Sequence, residues 1–321
     1  KSRTKEGVLM YQKPNQELWT GRLDSETDQR AFRQFQTIQL AHIEEVAQQQ
    51  ADVALFGYAI DEGVRLNQGR VGAKDGPDAI KRAFAGLPAS TSLNIVDYGN
   101  WTHSADTLFA SQQKFGHYVH QLLQQHQRTF LLGGGHDIAY AQYLGVRAAY
   151  PDQSIGVINI DAHFDNRYEA HSTSGTSFRQ MLTEDENLDY FVLGIQRPAN
   201  TQALFDYAEE TDTAYVLAEE LVGQIGPPVK DKIDHFINAH DVILFTICMD
   251  VVDSAFAPGV SAAAVLGLTP YTVLDLARRI LESPKVTSVS IAETNPKYDV
   301  DQRTAKLVAH LLSHFIHCSA S

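Results

Sequence analysis

The sequence predicts an α/β fold in which a parallel sheet is covered by helices on both faces. From about residue 53 to the end of the chain, short apolar runs alternate with longer amphipathic segments, and such alternation is typical of parallel sheets. Several of the short runs are continuously apolar, as expected of strands that helices cover on both sides. Both observations favour the α/β class.

Eight short apolar runs are the predicted strands. No internal repeat, low-complexity tract or linker interrupts them, so we expect one domain over residues 1–321, in which residues 1–27 form an N-terminal extension. In chain order the predicted strands are Val53–Gly57, Asn94–Asp97, Thr129–Leu132, Ile155–Ile160, Phe191–Ile195, Ala214–Leu217, Val242–Met249 and Val286–Ala292.

Two of the intervening segments have clear helical signals. The segment Gln112–His126 carries apolar residues at the i, i+4, i+7 and i+8 positions, which lie on one face of a helix. Thr269 followed by Pro270 is a common helix start, with an N-cap threonine and a proline in the first turn. It predicts a helix that runs through Leu281.

The composition argues against several classes of partner. The chain has a formal net charge of -13, and no basic stripe offsets it, so we expect no nucleic-acid partner. The two cysteines, Cys248 and Cys318, cannot form a disulfide framework, and a cytoplasmic localisation is therefore predicted. Neither a signal-peptide pattern nor an apolar stretch of membrane-spanning length is found in the sequence, so we expect no membrane partner.

Three predicted strands end in polar residues that are unusual for ordinary loops. The segment GGGHD follows the third strand at 133–137, DAHFD follows the fourth at 161–165, and CMDVVD ends the seventh at 248–253. Loops at the carboxyl ends of parallel strands converge at one edge of the sheet. The sequence therefore predicts an active site that is built from these three segments.

Asp161, His163 and Asp165 recur at every second residue. On an extended backbone this spacing directs the three side chains to one face. Two carboxylates that converge on one imidazole repel each other unless a cation lies between them, and these ligand types suit Mn, Fe, Zn or Ni. A second carboxylate-bearing strand would make a two-metal site. The alternative interpretation is an N-cap aspartate beside a solvated His–Asp pair.

His136 directly follows three glycines. A single histidine in a turn can also serve the N-terminus of a helix, which is the alternative to a role as a ligand. Gly133, Gly134 and Gly135 allow the backbone to approach closely at a strand end, where a pocket would form. They favour His136 as a site residue.

These segments resemble the signature blocks of the ureohydrolase (arginase-like) superfamily. GGGHD at 133–137, NIDAHFD at 159–165 and IAETNP at 291–296 match its blocks in order and separation. The resemblance extends from about residue 69 to residue 296, which is most of the chain. It implies a three-layer αβα sandwich around an eight-stranded parallel sheet, a homo-oligomer, and a pair of Mn²⁺ ions.

The resemblance also implies roles for individual residues. His136 is similar to the histidine of the first metal, and Asp161 and Asp165 are similar to the aspartates that serve this metal, one of them bridging. His163 is similar to the histidine of the second metal. Glu293 stands where the family has an acid near the amidine-like group of the substrate.

The chain departs from the family pattern on the third ligand strand, which usually carries Asp-x-Asp before a proline at a fixed distance. Counted back from Pro258, the first aspartate is replaced by Cys248, and the second is Asp250. We reject a shifted pair, Asp250 and Asp253, because residues three apart on a strand face opposite sides. Cys248 is therefore predicted to face the metals. It is either a thiolate ligand, softer than Mn²⁺ prefers, or a buried apolar residue beside a weakly held or absent metal.

The loop after DAHFD bears on the substrate. Arginases have a histidine proton shuttle three to four residues past a Ser-Gly pair, whereas this chain has Phe178 there. The loop supplies Arg167 and Ser174 as candidates for substrate binding, and Arg197 follows the fifth strand. Two guanidinium groups suit a substrate with two carboxylates, since each can clamp one of them bidentately. Alternatively, either arginine is a surface ion-pair residue.

Three further blocks, SGTSFRQ at 174–180, GIQRPANT at 194–201 and FAPGVSA at 256–262, resemble the formimidoylglutamase branch of the family. This resemblance implies hydrolysis of N-formimidoyl-L-glutamate to L-glutamate and formamide in histidine degradation. Two divalent ions would lower the pKa of a bridging water, Glu293 would help to hold the tetrahedral intermediate, and Asp165 would carry the proton. The alternatives are an arginase or agmatinase acting on a guanidino substrate, and a metal-poor relative without activity.

Overall fold

A computed structural model of the protein describes residues 10–90, 92–103, 107–223 and 225–318. Within these residues, one sheet of ten strands forms the centre of the molecule. The strands are β1 (Tyr11–Gln12), β2 (Gln39–Leu40), β3 (Val53–Ala59), β4 (Ile95–Thr102), β5 (Arg128–Gly133), β6 (Ile155–Ile160), β7 (Leu188–Ile195), β8 (Ala214–Leu217), β9 (Val242–Cys248) and β10 (Val286–Ala292). The α-helices are α1 (Gln34–Thr37), α2 (Glu62–Leu66), α3 (Gly76–Ala85), α4 (Leu108–Gln125), α5 (Ile138–Ala149), α6 (Ser177–Glu184), α7 (Gln202–Glu210), α8 (Pro227–Ala239), α9 (Pro270–Leu281) and α10 (Arg303–Cys318).

Eight of the ten strands in the described chain form the parallel sheet that was expected. Their order is β4-β3-β5-β10-β9-β6-β7-β8, and every neighbouring pair in this order is parallel. The two-residue strands β1 and β2 both pair with β4 at one edge, β1 antiparallel and β2 parallel. They escape prediction from sequence because two residues are too few to show a periodicity.

All eight predicted strands are confirmed, and the largest difference in bounds is in β4. This strand runs to Thr102 instead of ending at Asp97. Its apolar pattern is broken by Asp97 and Asn100, which are nevertheless buried. Both contact Lys81, whose Nζ lies 2.7 Å from Asp97 Oδ1 and donates to Asn100 Oδ1 at 2.8 Å. A buried polar network therefore replaces apolar packing there.

Helices cover both faces of the sheet and complete a three-layer αβα sandwich. On β5, Phe130 and Leu132 belong to one cluster of buried apolar side chains, whereas Leu131 belongs to the other. The first cluster includes apolar residues of α3, α8, α9 and α10, and the second includes those of α4, α5, α6 and α7. The predicted fold class is confirmed.

The two helices predicted from caps and periodicity are also present. Helix α9 has the predicted bounds, and the side chain of Thr269 accepts a hydrogen bond from the backbone N–H of Thr272. Helix α4 begins one turn earlier than predicted, because Thr107 caps it by accepting from Ala110 N. No helix in the described part of the chain is long and apolar enough to cross a membrane.

Part of the predicted N-terminal extension packs against the sheet, and residues 1–9 lie outside the described residues. Tyr11 of β1 pairs with Trp101 of β4. Trp19 is buried, and its Nε1 donates to Asp97 Oδ2 at 3.1 Å. The extension therefore contributes to the core at the edge of the sheet.

Four adjacent strands, β5, β10, β9 and β6, lead to the candidate site residues. Because they are parallel, their carboxyl ends meet at one edge of the sheet. In the register, Ala292 pairs with Cys248 and Ile160 pairs with Ile247. The segments that follow these strands therefore begin at the same level, as the sequence predicts.

Candidate metal centre

A cavity of about 220 Å³ opens at this edge of the sheet. Asp161 is fully buried beside it, whereas most of the other predicted site residues line it directly. The lining residues are Asn67, Gly69, His136, His163, Asp165, Arg167, Ser174, Ala199, Asn200, Leu204, Cys248, Asp250, Ser261, Ala262 and Glu293.

Close backbone contacts require the glycines that precede His136. Gly134 N donates to Tyr58 O at 2.7 Å, and Gly135 N donates to Ile60 O at 2.9 Å. A Cβ atom on Gly134 would lie 1.8 Å from Ile60 O, so only glycine fits there. The loop therefore folds tightly against β3 and brings His136 to the carboxyl end of the sheet.

The buried His136 ring lies between two carboxylates. Its Nδ1 is 2.9 Å from Asp161 Oδ2 and 2.9 Å from Asp165 Oδ2. Its Nε2 is 3.1 Å from Thr246 Oγ1. In the neutral tautomer whose Nε2–H donates to Thr246, Nδ1 keeps a lone pair that can bind a cation.

Asp161 presents one carboxylate oxygen to each of two histidines. Asp161 Oδ2 faces His136, while Asp161 Oδ1 lies 3.5 Å from His163 Nδ1 and accepts from His163 N at 2.8 Å. His163 Nδ1 also lies 3.3 Å from Asp250 Oδ2. Asn159 Nδ2 donates to Asp161 Oδ2 at 3.1 Å and fixes the carboxylate plane. This orientation suits an aspartate that bridges two cations.

Two groups of ligand atoms result, and within each group the atoms lie within 4.8 Å of one another. The cysteine position consists of His136, Asp161 and Cys248, and the carboxylate position consists of Asp161, His163 and Asp250. Two buried oxygens nearby, Asp250 Oδ1 and Glu293 Oε2, have no hydrogen-bond partner among the described residues. Buried polar atoms of this kind are usually completed by a ligand, an ion or a water. The donor set therefore fits two divalent cations that share Asp161.

The electrostatics of the cluster also call for positive charge. Burial and the nearby carboxylates raise the pKa of the Cys248 thiol well above its usual range. Burial and the charge of Asp250 raise the pKa of Glu293 to about 8. Burial would lower the pKa values of His136 and His163, but the surrounding aspartates raise both well above the ordinary value. Each shift favours the protonated form of the group. Bound cations would supply the same positive charge in place of these protons.

Two of the predicted catalytic residues, Asp165 and Glu293, have left-handed backbone conformations, with φ of 46° and 69°. Such a conformation costs a non-glycine residue roughly 1–3 kcal/mol and is often found at functional sites. Contacts with the glycine-rich loop hold Glu293 in place: its N–H donates to Gly134 O at 2.8 Å, and its Oε1 accepts from His136 N at 3.0 Å. The same loop thus positions both His136 and Glu293.

Arg167 and Ser174 lie on another wall of the cavity. Ser174 Oγ accepts a hydrogen bond from Asn67 Nδ2 at 3.2 Å. Arg167 N donates to Gly175 O at 2.9 Å, and no acidic side chain of the described residues forms an ion pair with its guanidinium. This wall offers a cation and neutral polar groups, which suit a carboxylate.

Arg197 does not line the cavity. Its Nε lies 3.9 Å from Glu219 Oε1, and the two side chains are 61% and 64% exposed. Ala199 and Asn200 of the same segment do line the cavity. The structure therefore brings together all of the predicted site residues except Arg197.

Several residues of the site were missed by the sequence analysis, among them the polar residues Asn67, Asn200 and Thr246. Thr246 precedes Cys248 by two residues on β9, so strand alternation directs both side chains to one face. Asp250 lies beyond the end of the strand, in the 3-10 turn Met249–Val251. Asn67 and Asn200 lie in loops, where no periodicity indicates the direction of a side chain.

Known proteins that are similar in sequence match nearly the whole chain. The family model described as "Arginase family" matches residues 51–318. A curated formimidoylglutamase of Staphylococcus carnosus is 60% identical over 309 residues, which are 96% of this chain and 100% of the relative. One of Staphylococcus aureus is 60% identical over 310 residues, 96% of this chain and 100% of the relative.

Solved structures with the same fold are also found. The crystal structure of Trypanosoma cruzi formiminoglutamase with Mn²⁺ is 25% identical, with a TM-score of 0.75, and the match covers 88% of this chain and 99% of that chain. Formimidoylglutamase from Bacillus subtilis is 24% identical, with a TM-score of 0.81, and the match covers 92% of this chain and 95% of that chain; it has the same fold. The chain belongs to the arginase family.

Proposed function

We propose that the chain is a metal-dependent hydrolase that converts N-formimidoyl-L-glutamate and water to L-glutamate and formamide, a step of histidine degradation. Relatives named formimidoylglutamase match it at 60% identity over nearly the full length of both chains. The structural observation that carries the proposal is the pair of ligand groups that share Asp161. They lie beside a cavity that Arg167 and Glu293 also line.

Two divalent cations fit the cysteine position and the carboxylate position. When bound, the cations lower the pKa of a water molecule at the centre, so that hydroxide is available near neutral pH. We propose Mn²⁺, the metal of the Trypanosoma cruzi structure. The carboxylate position, whose donors are Asp161, His163 and Asp250, suits Mn²⁺ because it offers only nitrogen and oxygen.

Glu293 holds the formimidoyl group of the substrate. Its Oε1 is fixed by the hydrogen bond from His136 N at 3.0 Å, while its buried Oε2 has no partner among the described residues. An amidinium N–H of the substrate that donates to Oε2 would give this oxygen its hydrogen-bond partner. It would also stabilise the ionised form of the Glu293 carboxylate. The formimidoyl carbon would then face the cluster of His136, Asp161 and Asp165.

Asp165 moves the proton. Its Oδ2 lies 2.9 Å from His136 Nδ1, and its side chain lines the cavity. Burial and the charge of Asp161 raise the pKa of Asp165 above its ordinary value, which helps it to hold a proton. It accepts the proton of the attacking water and donates it to the glutamate nitrogen when the C–N bond breaks.

The two carboxylates of the substrate are held by the arginine-bearing loops. Arg167 is the direct candidate, with Ser174 and Asn67 beside it as neutral polar contacts. Arg197 is the proposed partner of the second carboxylate. Its exposed ion pair with Glu219 is long, at 3.9 Å, and such a pair is weak. Arg197 can therefore exchange this partner for a substrate carboxylate.

The guanidino alternatives fit the cavity less well. At the location where arginases have a histidine proton shuttle, Phe178 is buried. Its ring stacks on Tyr190 at a centroid distance of 4.2 Å and contacts His136 edge-on at 5.5 Å. Phe178 thus packs beneath the site and cannot transfer a proton, which disfavours an arginase or agmatinase.

The test is a substrate panel on the Mn²⁺-loaded protein, with metal content measured on the same samples. We expect release of formamide from N-formimidoyl-L-glutamate and no release of urea from arginine or agmatine. His163→Asn, which removes a ligand of the carboxylate position, should abolish formamide release while the circular dichroism spectrum stays unchanged. Urea release in place of formamide release would contradict the proposal, and so would full activity in a variant without bound metal.

We also propose that the protein acts in the cytoplasm as a homo-oligomer. Val222 and Leu266 are each 81% exposed and line one apolar groove, and exposed apolar surface of this kind is commonly covered by a partner. In light scattering, Leu266→Lys should lower the molar mass, whereas Leu23→Lys, at a 50% exposed leucine, should not. A monomeric wild-type protein would contradict the proposed assembly.

A further inference from the structure

The two metal positions have different donor atoms. Both use one oxygen of Asp161 and one histidine nitrogen, but the third donor is Cys248 Sγ in the cysteine position and an Asp250 oxygen in the carboxylate position. Two cations that share a carboxylate would therefore have chemically unequal surroundings.

Cys248 is oriented as a ligand and not as packing. It ends β9, and its partner in the register, Ala292, immediately precedes Glu293. Its side chain is 1% exposed, yet it borders the cavity, and its Sγ belongs to the same group of close donor atoms as a ring nitrogen of His136. A cysteine that only fills space would be surrounded by apolar atoms.

The chemistry of sulfur makes the two positions selective for different ions. Among divalent ions of the first transition series, affinity for a given site rises from Mn²⁺ through Fe²⁺ and Co²⁺, and a thiolate adds to this preference because it is a soft ligand. Zn²⁺ and Co²⁺ bind well to a set of one thiolate, one imidazole and carboxylates. His136, Asp161, Cys248 and the nearby Asp165 form such a set.

We propose that the centre is built for two different metals: the cysteine position binds a thiophilic divalent ion such as Zn²⁺ or Co²⁺ through the Cys248 thiolate, and the carboxylate position binds Mn²⁺. This inference deepens the proposed function, on which it rests, by assigning the metal of each position. On binding, the sulfur–metal bond replaces the S–H bond, and the thiol proton leaves to solvent.

The probe is Co²⁺, because a thiolate ligand gives a sulfur-to-cobalt charge-transfer absorption that oxygen and nitrogen ligands do not give. The full chain is stripped with a chelator and titrated with Co²⁺ while the near-ultraviolet absorption is recorded. We expect the band to saturate at one equivalent. In a parallel titration with Mn²⁺, followed by electron paramagnetic resonance, one ion should bind tightly and a second only at much higher concentration.

Variants separate the role of sulfur from its volume. Cys248→Ser should lose the band while keeping the tight Mn²⁺ ion of the carboxylate position. Cys248→Asp should also lose the band and should bind two Mn²⁺ ions tightly. Cys318→Ala is the matched control, since it removes the other cysteine of the chain and should leave the band unchanged. Asp250→Asn should weaken the tight Mn²⁺ ion without loss of the band.

The outcomes distinguish this inference from the proposed function. If wild-type protein binds two Co²⁺ ions without the band, or two Mn²⁺ ions with equal affinity, Cys248 is not a selective ligand and the inference is overturned. Formamide release by the same samples would then still support the proposed function. If the band appears as expected but no metal combination releases formamide, the proposed function fails while the assignment of the cysteine position stands.

Discussion

A single hydrogen bond determines which nitrogen of His136 faces the cluster. His136 Nε2 lies 3.1 Å from Thr246 Oγ1, and Thr246 Oγ1 also accepts from Ser290 Oγ at 2.6 Å. Histidine ligands commonly depend on such a partner for their tautomer and orientation. The partner is a threonine of the same strand that carries Cys248, so two contributions to the cysteine position come from β9.

Thr246→Val keeps the shape of the side chain and removes this acceptor. We expect the affinity for the metal at the cysteine position to fall about 10- to 100-fold, the usual effect of losing a partner of a ligating histidine. Thr129→Val is the matched control, since Thr129 Oγ1 is buried on β5, two strands from β9, without a hydrogen-bond partner among the described residues. Calorimetric titration of both variants with Co²⁺ measures the effect. Equal affinities would contradict a positioning role for Thr246.

Arg167 provides a second prediction for a single residue. Arg167→Ala should raise KM for N-formimidoyl-L-glutamate by roughly tenfold to a hundredfold, because a hydrogen bond to a charged group contributes about 1.5–3 kcal/mol. The value of kcat should change much less, since the carboxylate is bound equally in the ground state and the transition state.

Two further arginine variants complete this experiment. Arg197→Ala should also raise KM if its guanidinium leaves Glu219 for the substrate. Arg22→Ala is the control, because this arginine is highly exposed and pairs only with Asp24. An unchanged KM in Arg167→Ala would mean that the carboxylates are held elsewhere.

Most metal-ligand candidates could be predicted from sequence because the motifs that carry them directly follow predicted strands of one parallel sheet. Asp161, His163 and Asp250 follow strands whose ends meet at one edge. Arg197 could not be located in this way, since it follows β7 and begins a single 3-10 turn, Arg197–Ala199. The direction of a side chain in such a segment depends on tertiary contacts, which one sequence does not reveal.

At the scale of elements, the histidine that follows the last residue of α4 forms hydrogen bonds that favour its neutral form. His126 Nδ1 lies 2.9 Å from Ala51 O, to which the ring N–H donates, and its Nε2 is 2.8 Å from Tyr98 Oη. In this tautomer Nε2 accepts from the tyrosine hydroxyl, and a proton on Nε2 would break that bond. Burial lowers the pKa of His126 below its ordinary value, although the bond to Ala51 opposes the shift.

This arrangement predicts a pH dependence of stability. The unfolded state, in which histidine has a pKa of about 6.5, binds the proton more readily than the folded state. Stability is therefore unaffected above about pH 7 and is lost as pH falls from about 6.5 towards the lower pKa of the folded state. In metal-free protein, His126→Gln should reduce the fall in Tm between about pH 7 and about pH 5. His117→Gln, at an exposed histidine of the same helix, should not.

The elements also differ in how readily a sequence reveals them. Strands β6, β8 and β10 have the predicted bounds because their apolar runs coincide with the hydrogen-bonded segments. In β4 the buried ion pair between Lys81 and Asp97 ends the apolar run in mid-strand. Charged residues usually indicate solvent, and only the fold reveals that these two compensate each other.

At the scale of the whole molecule, the centre lies where four adjacent strands of one sheet end. Helices of both layers pack against that sheet, so the described chain has a continuous core on each face. One sheet with a core on each face is the arrangement expected of one domain, as the sequence predicts. The carboxylates at the edge of this sheet come together only in the folded state. Cations that bind to them should therefore stabilise the whole fold.

Removal of metal should therefore lower the Tm of the whole protein without changing its secondary structure. A ligand that binds only the folded state and is present at about 100 times its Kd stabilises that state by about 2.7 kcal/mol. For a chain of 321 residues this corresponds to a shift of about 4 °C. We expect a chelator to lower the Tm by this amount in one unchanged transition, and added metal to restore it. In His163→Asn the shift should be smaller, because the carboxylate position loses a ligand. Calorimetry of stripped and reloaded protein measures the effect, and an equal Tm in both states would contradict the proposed binding of cations by the folded chain.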